Sequence, residues 1–215
     1  MEIGILGTGN AGQTIGSKLI QLGHSVMLGS RDAAKPRAIA WANDEGPHAL
    51  NGTFRNAAEF GEIIFNCTLG VASLDALRQA GAENLNGKIL IDISNPIDYS
   101  TDEFTLSVCN TDSLGEQIQR AFPEARVVKT LNTVNCNMMV EPNKLPGRTN
   151  VFLSGNDPDA KETVMKILRE WFGWKSVIDL GDITTSRGVE MYMALWTNVK
   201  QVISAERINI KVISN

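Results

Sequence analysis

The segment Gly7-Thr8-Gly9-Asn10-Ala11-Gly12 constrains this chain more than any other. It follows directly on the apolar run Ile3-Gly4-Ile5-Leu6. It directly precedes residues whose apolar positions, Ile15, Leu19, Ile20 and Leu22, recur at helical spacing. A G-x-G-x-x-G tract between a strand and a helix is the fingerprint of a dinucleotide-binding β-α unit. Its glycines have separate tasks. Gly7 permits the tight turn, Gly9 lets the backbone approach a pyrophosphate, and Gly12 lets helix and strand pack closely. The helix start then presents free N–H groups and a positive partial charge to the phosphates.

The rest of the chain repeats that alternation. Strands are expected at residues 2–6, 25–28, 53–55, 62–69, 88–93, 126–131, 151–154 and 176–180. Helices are expected at 11–22, 36–43, 73–79, 113–122, 158–171 and 187–206. The helix from 113 opens on the capping box Ser113-x-x-Glu116. Several strands are continuous apolar runs, which a parallel sheet covered on both faces requires. The expected fold is therefore α/β: an NAD(P)-binding Rossmann fold, with a mainly parallel, doubly wound sheet and a short helical C-terminal extension. With 215 residues the chain has room for one domain over 1–215. Its dinucleotide-binding core would run over 1–141 and its extension over 142–215, with the break at the proline-flanked 142–146 segment. The long apolar last helix exceeds what one sheet face needs, so the extension is expected to contact a second subunit.

Composition narrows the partners. Lys and Arg number 20 against 24 Asp and Glu, a net charge of -4, so neither a nucleic acid nor an anionic membrane is expected as partner. The three cysteines are far apart and there are only two histidines, so no zinc-type spacing exists and no metal is expected. No run approaches the roughly 20 apolar residues of a membrane span, and Met1 leads into a strand rather than a basic leader. The expectation is a soluble, cytoplasmic protein.

The second strand ends in Leu28-Gly29-Ser30-Arg31-Asp32. A site for NAD places a carboxylate there to accept from both ribose hydroxyls. Here Ser30 occupies that place, with Arg31, Lys35 and Arg37 behind it, a set that suits the 2′-phosphate of NADP. Asp32, two residues on, is the competing NAD-type carboxylate. Ligands of such sheets sit outside the carboxyl ends of the strands. Three of those ends turn from apolar to small polar residues: Cys67-Thr68-Leu69-Gly70, Ile93-Ser94-Asn95-Pro96 and Leu131-Asn132-Thr133-Val134-Asn135. Residues of these types also end strands for purely local reasons, as turn and cap residues. The alignment of three such ends favours a site, with Asn95, Asn132, Thr133 and Asn135 as candidates for the nicotinamide and acceptor pocket.

Taken together, Gly7-x-Gly9-Asn10-x-Gly12, Gly29-Ser30-Arg31, Ile91-Asp92-Ile93-Ser94-Asn95-Pro96, Lys129-Thr130-Leu131-Asn132-Thr133, and Asp179-Leu180-Gly181 followed by Ser186-Arg187-x-x-Glu190 give the chain a family resemblance. It resembles the coenzyme F420-dependent NADP oxidoreductases, and is similar to the cytosolic reductase domain of the STEAP metalloreductases. The resemblance implies that Thr8, Gly9, Asn10, Ala11, Gly12, Ser30, Arg31, Thr68 and Leu69 bind NADP; the strand-end reading adds Gly7, Lys35, Ser94 and Asn95 as cofactor-binding candidates. It implies that the loop 132–135 lines the nicotinamide pocket. It further implies hydride transfer between NADP(H) and a small-molecule acceptor, coenzyme F420 or a flavin, commonly in a homodimer.

Reduction of a carbonyl to an alcohol needs a proton donor beside the hydride site. His24 falls before the second strand, at the end of the sheet opposite the cofactor, and His48 falls in a loop. Lys129 sits inside a strand, which leaves Tyr99 as the one available donor, with ordinary packing as the reading that competes for it. A ring acceptor asks chiefly for stacking and distance. Two alternatives remain open: an imine reductase of the pyrroline-carboxylate type, and a non-catalytic NADP-binding redox sensor. Arg187 and Glu190, three apart on one helix, are in position to pair.

Overall fold

The structure is a computed structural model and describes residues 1–100, 102–205 and 207–214. Its elements run β1 (Glu2–Leu6), α1 (Asn10–Gln21), β2 (Ser25–Ser30), α2 (Pro36–Glu45), β3 (Ala49–Thr53), α3 (Phe54–Phe60), β4 (Ile63–Asn66), α4 (Gly70–Ala80) and α5 (Ala82–Leu85). They continue with β5 (Ile89–Asp92), β6 (Ile97–Asp98), β7 (Thr105–Leu106), α6 (Leu114–Ala121), β8 (Arg126–Thr130) and α7 (Cys136–Met139). After these come β9 (Val151–Gly155), α8 (Pro158–Lys166), β10 (Val177–Asp179) and α9 (Ser186–Ile203).

Eight of the strands form one sheet in the order β10-β9-β8-β5-β4-β1-β2-β3. The pairs from β3 to β8 are all parallel, β9 pairs antiparallel with β8, and β10 pairs parallel with β9. This is the expected Rossmann fold with its mainly parallel sheet. Alternation along each strand explains the continuous apolar runs. Ile3, Ile5, Ile63, Phe65, Ile89 and Ile91 feed one core beneath α1 and α8. Leu6, Ile64, Leu90 and Val127 feed a second core on the opposite face, beneath α3, α4 and α6. The chain beyond the 142–146 segment adds β9 and β10 to this same sheet before α9 begins.

Several boundaries differ from the sequence expectation. The third strand spans Ala49–Thr53, not 53–55. The Thr53 hydroxyl accepts from the Asn56 N–H (3.1 Å), and the Asn56 side chain accepts from the Thr53 N–H (3.0 Å), so the chain turns into α3 there. The fourth strand stops at Asn66, because the Asn66 side chain accepts from the Thr68 hydroxyl at 2.7 Å and curls the next residues into a turn. The helix expected over 158–171 is α8, continued over Ile167–Trp171 by a π turn. The last helix ends at Ile203, and the expected end at Glu206 lies outside the described residues. Helices α3, α5 and α7 and the β6–β7 hairpin were not expected.

Candidate functional site

Strand order reverses at β1, whose neighbours β2 and β4 lie on either side, and a crevice opens outside the carboxyl ends at such a point. The loop after β1 and the loop after β4 meet there. Gly7 has φ +119°, and any Cβ on it would strike the Cys67 carbonyl. Gly12 lies so close under the Gly7 carbonyl that a side chain there has no room. Gly9 is the opposite case: a Cβ on it would meet nothing within 4 Å, so its face is open to a ligand. It precedes α1 without any side-chain cap, which leaves the first N–H groups of that helix to an external acceptor.

From this loop a cleft of about 470 Å³ runs between the end of β2 and α4. Gly7, Thr8 and Gly9 form its floor, with Ser30, Arg31 and Lys35 on the β2 side. Thr68 and Leu69 close the end near β4. The side chains of Arg31 and Lys35 have no partner among the described residues, although both line the cleft. Ser30 donates to the Asp32 carbonyl at 2.6 Å. Asp32 uses its carboxylate on the Ala34 N–H at 2.8 Å and so closes its own turn. Arg37 turns away from the cleft and donates to the side chain of Asn10, tying α2 to the start of α1. Asn10, Ala11 and Gly12 belong to the first turn of α1 beside the cleft.

Behind the cleft lies a buried polar chain that the sequence reading missed. Thr68 donates its hydroxyl to Asn66. Asn66 donates from its amide nitrogen to Asp92 (2.8 Å) and to Ser73 (3.1 Å). Asp92 also accepts the Ser94 hydroxyl at 2.7 Å. The Lys129 ammonium, with 0% of its side chain exposed, reaches Asp92 at 2.7 Å, Glu190 at 2.8 Å and the Ser94 carbonyl at 2.7 Å. Glu190 in turn accepts from the Leu114 and Gly115 N–H groups, capping α6. Burial works to lower the Lys129 pKa, but Asp92 and then Glu190 outweigh it and hold it above its ordinary value. The ammonium therefore stays charged throughout the neutral range. The Cys67 thiol beside this chain is pushed up, first by burial and then by Asp92.

The remaining candidates divide. The Asn95 and Asn132 side chains come together: Asn132 donates to Asn95 Oδ1 at 2.9 Å and to the Val189 carbonyl of α9 at 3.0 Å, and Asn95 donates to the Asn132 carbonyl at 2.8 Å. Leu131, just before them, is held at φ +59°, a left-handed conformation unusual for a branched apolar residue. The hydroxyl of Thr133 is buried with no partner among the described residues. Asn135 caps α7, accepting from the Asn137 N–H at 3.0 Å. Ser94 is buried and faces Asp92, away from the cleft lining.

Arg187 and Glu190 do not pair with each other. Arg187 binds Glu116 through two contacts of 2.8 and 2.5 Å, and Glu190 binds Lys129, because the two side chains leave α9 toward different neighbours. His24 stacks on the Trp171 ring (4.4 Å between centroids), and His48 shares a hydrogen bond with Ser25 at the start of β2, the end of the sheet opposite the cleft. Tyr99, just past β6, is exposed. Among the described residues no helix is long and apolar enough to cross a membrane.

Residues 2–96 match the family described as NADP oxidoreductase, coenzyme F420-dependent. The chain is 46% identical to a protein of Arthrobacter sp. FB24 provisionally named an F420-dependent NADP-reductase. That match covers 100% of both chains with a TM-score of 0.94. It is 28% identical to the F420-dependent NADP reductase of Methanocaldococcus jannaschii, over 88% of each chain. It is 29% identical to metalloreductase STEAP3 of Rattus norvegicus over 88% of this chain, which spans 36% of that longer protein. A reductive aminase from Aspergillus terreus shares the fold with a TM-score of 0.66 at 17% identity, over 94% of this chain and 62% of that one.

Proposed function

This chain belongs to the coenzyme F420-dependent NADP oxidoreductase family and is an NADP-dependent oxidoreductase, and from that premise we propose that it transfers a hydride between NADP(H) and a flavin or deazaflavin ring such as coenzyme F420. The observation that carries the reading is the cleft over the glycine loop, with Arg31 and Lys35 unpartnered beside Ser30. Two free cations match a 2′-phosphate, and the Asp32 carboxylate, the alternative ribose acceptor, has one oxygen turned to the Ala34 N–H. The open face of Gly9 and the uncapped start of α1 suit the pyrophosphate.

When bound, the dinucleotide supplies or receives the hydride. The chain's own residues hold and align. The N–H groups from Thr8 to Gly12 bind phosphate, and Thr68 and Leu69 border the reacting end. The Asn95–Asn132 pair fixes the two strand ends beneath it. The histidines are at the far end of the sheet and Lys129 is enclosed by carboxylates, so these acids and bases are committed elsewhere. Transfer between stacked rings asks for distance and alignment more than for proton transfer, which suits such a site.

The same reading makes the protein a homodimer through α9, where Met191, Leu195, Val202 and Ile203 are exposed. The function is tested by mixing protein and NADPH with coenzyme F420, FMN, FAD or pyrroline-5-carboxylate and following loss of the NADPH absorbance. Consumption with a ring acceptor is expected. Consumption with pyrroline-5-carboxylate alone, or with none of the four, would overturn the reading.

A further inference from the structure

A second cavity, of about 420 Å³, stands apart from the dinucleotide cleft. It lies between the 142–149 segment and Gly173-Trp174-Lys175. Strand β9 runs antiparallel to β8, so it begins where β8 ends, and β10 begins beside it. The cavity is therefore at the same end of the sheet as the cleft, with β8 and β5 in between. No acid lines it: its polar side chains are Arg148, Lys175, Asn143 and Thr149. Arg148, Lys175 and Asn143 have no side-chain partner among the described residues, and Glu141, the acid next in sequence, is paired with Lys144. Thr149 accepts from Asn209 at 3.0 Å, which leaves its own hydroxyl proton to donate. The two cation-bearing segments are tied together. Asn150 donates from its side chain to the Ser176 hydroxyl at 2.6 Å, and the Val151 N–H donates to the Ser176 carbonyl at 3.1 Å. Trp174 donates from its indole to the Met139 carbonyl at 2.8 Å and so fixes the wall behind them. Arg148 and Lys175 are thus held at one cavity without a counter-ion, whereas Arg55, Arg78, Arg120 and Lys161 each sit against a carboxylate. A cavity lined by one sign of charge concentrates ions of the other.

We propose that this cavity is a second anion site, in which Arg148 and Lys175 hold the phosphate group of a small molecule whose apolar body rests on Pro142, Pro146 and Trp174. The donor set fits that chemistry. A guanidinium presents a planar fork to two phosphate oxygens, and an ammonium adds a compact charge. The Asn143 amide and the Thr149 hydroxyl can donate to the remaining oxygens. The volume exceeds what a bare phosphate needs and falls within the range of small-molecule sites, roughly 300–1,000 Å³. The apolar wall then serves the rest of the ligand. None of these residues lines the cleft, so the site stands whether or not a dinucleotide binds there. Arg148 and Lys175 are exposed, so substitutions at them leave the core untouched.

The test is titration calorimetry of the full chain with phenyl phosphate, inorganic phosphate and phenol. Phenyl phosphate should bind most tightly, inorganic phosphate more weakly, and phenol not measurably. Arg148→Gln and Lys175→Gln should each weaken phenyl phosphate roughly tenfold or more, the scale of one lost charge-assisted contact, and Arg31→Gln should leave that binding unchanged. No binding of phenyl phosphate, equal binding of phenol, or binding that responds to Arg31→Gln and not to Arg148→Gln would overturn the site. The phosphate can come from the hydride acceptor or from a separate molecule, and NADPH turnover separates these sources. If the acceptor supplies it, FMN should exceed riboflavin in kcat/KM roughly tenfold, and Arg148→Gln should erase the gap. If a separate molecule supplies it, Arg148→Gln should weaken phenyl phosphate and leave the ratio of FMN to riboflavin as in the wild type.

Discussion

The glycine loop after β1 and the Asp92–Lys129–Glu190 cluster at the ends of β5 and β8 and on α9 stand at the same end of one sheet, yet they are built on opposite principles. The loop is made of backbone and of missing side chains, and its useful groups are left without protein partners. The cluster is made of long charged side chains, fully enclosed, with the ammonium and both carboxylates engaged several times over. A binding site must keep hydrogen-bonding capacity in reserve for its ligand. A buried charge must spend all of its capacity internally, because an uncompensated ion in the interior costs several kcal/mol. Thr68 joins the two regions: it lines the cleft on one side and donates into the buried chain on the other.

The sharpest way to break this contrast is to exchange the expected losses. Lys129→Met should leave two carboxylates facing each other in the core and cost about 3–5 kcal/mol in denaturant unfolding. If stability held while NADPH affinity fell, the cluster would be part of the binding site and not its frame. Gly9→Ala should do the reverse. Its Cβ meets no protein atom, so unfolding should change by no more than about 0.5 kcal/mol. NADPH affinity should nevertheless drop roughly tenfold or more, since the methyl group stands where the pyrophosphate must approach. Normal NADPH binding by Gly9→Ala would move the phosphate site elsewhere.

The smallest effect is set by an exposed pair that belongs to neither region. Hydrogen bonds from Arg120, first among the causes, hold the Asp112 carboxyl down at about 2, below its ordinary value of 3.8. Its contribution to stability is therefore complete above the ordinary value and is lost as pH falls through about 2. Arg120 is 60% exposed, so solvent screening limits the pair to about 1 kcal/mol or less. Asp112→Asn should flatten that part of the acid unfolding curve, and an unchanged curve would assign the decline to other carboxylates.

The two regions were not equally legible in the sequence. The glycine loop could be read because a site made of backbone must be written as absent side chains, and the neighbouring strand and helix confirm its setting. The run of strands and helices was legible through apolar periodicity, and the Ser113 cap of α6 through its spacing. The cluster was not. Lys129 lies 37 residues from Asp92, and nothing local names a partner that distant. The available signal was Lys129 itself, a charge inside an apolar strand run, which physics requires to be paired. Asp92, Lys129 and Glu190 each stand in a motif that carried the family resemblance, so those motifs mark the frame of the site as much as its lining. The displaced third strand has a similar cause. The Thr53-x-x-Asn56 cap was present in the sequence, but the β-branched Thr53 also suits a strand.

The central claim is that the cleft over Gly9 is a site for NADP, and ligand-dependent melting tests it most directly. A ligand that binds only the folded state stabilises it by an amount that grows with the logarithm of its concentration, about 2.7 kcal/mol at 100 times its Kd, and so raises the melting temperature. NADPH should raise the melting temperature of the wild type with increasing concentration, and NADH at equal concentrations should raise it much less. An equal rise with both nucleotides, or no rise with either, would contradict the account.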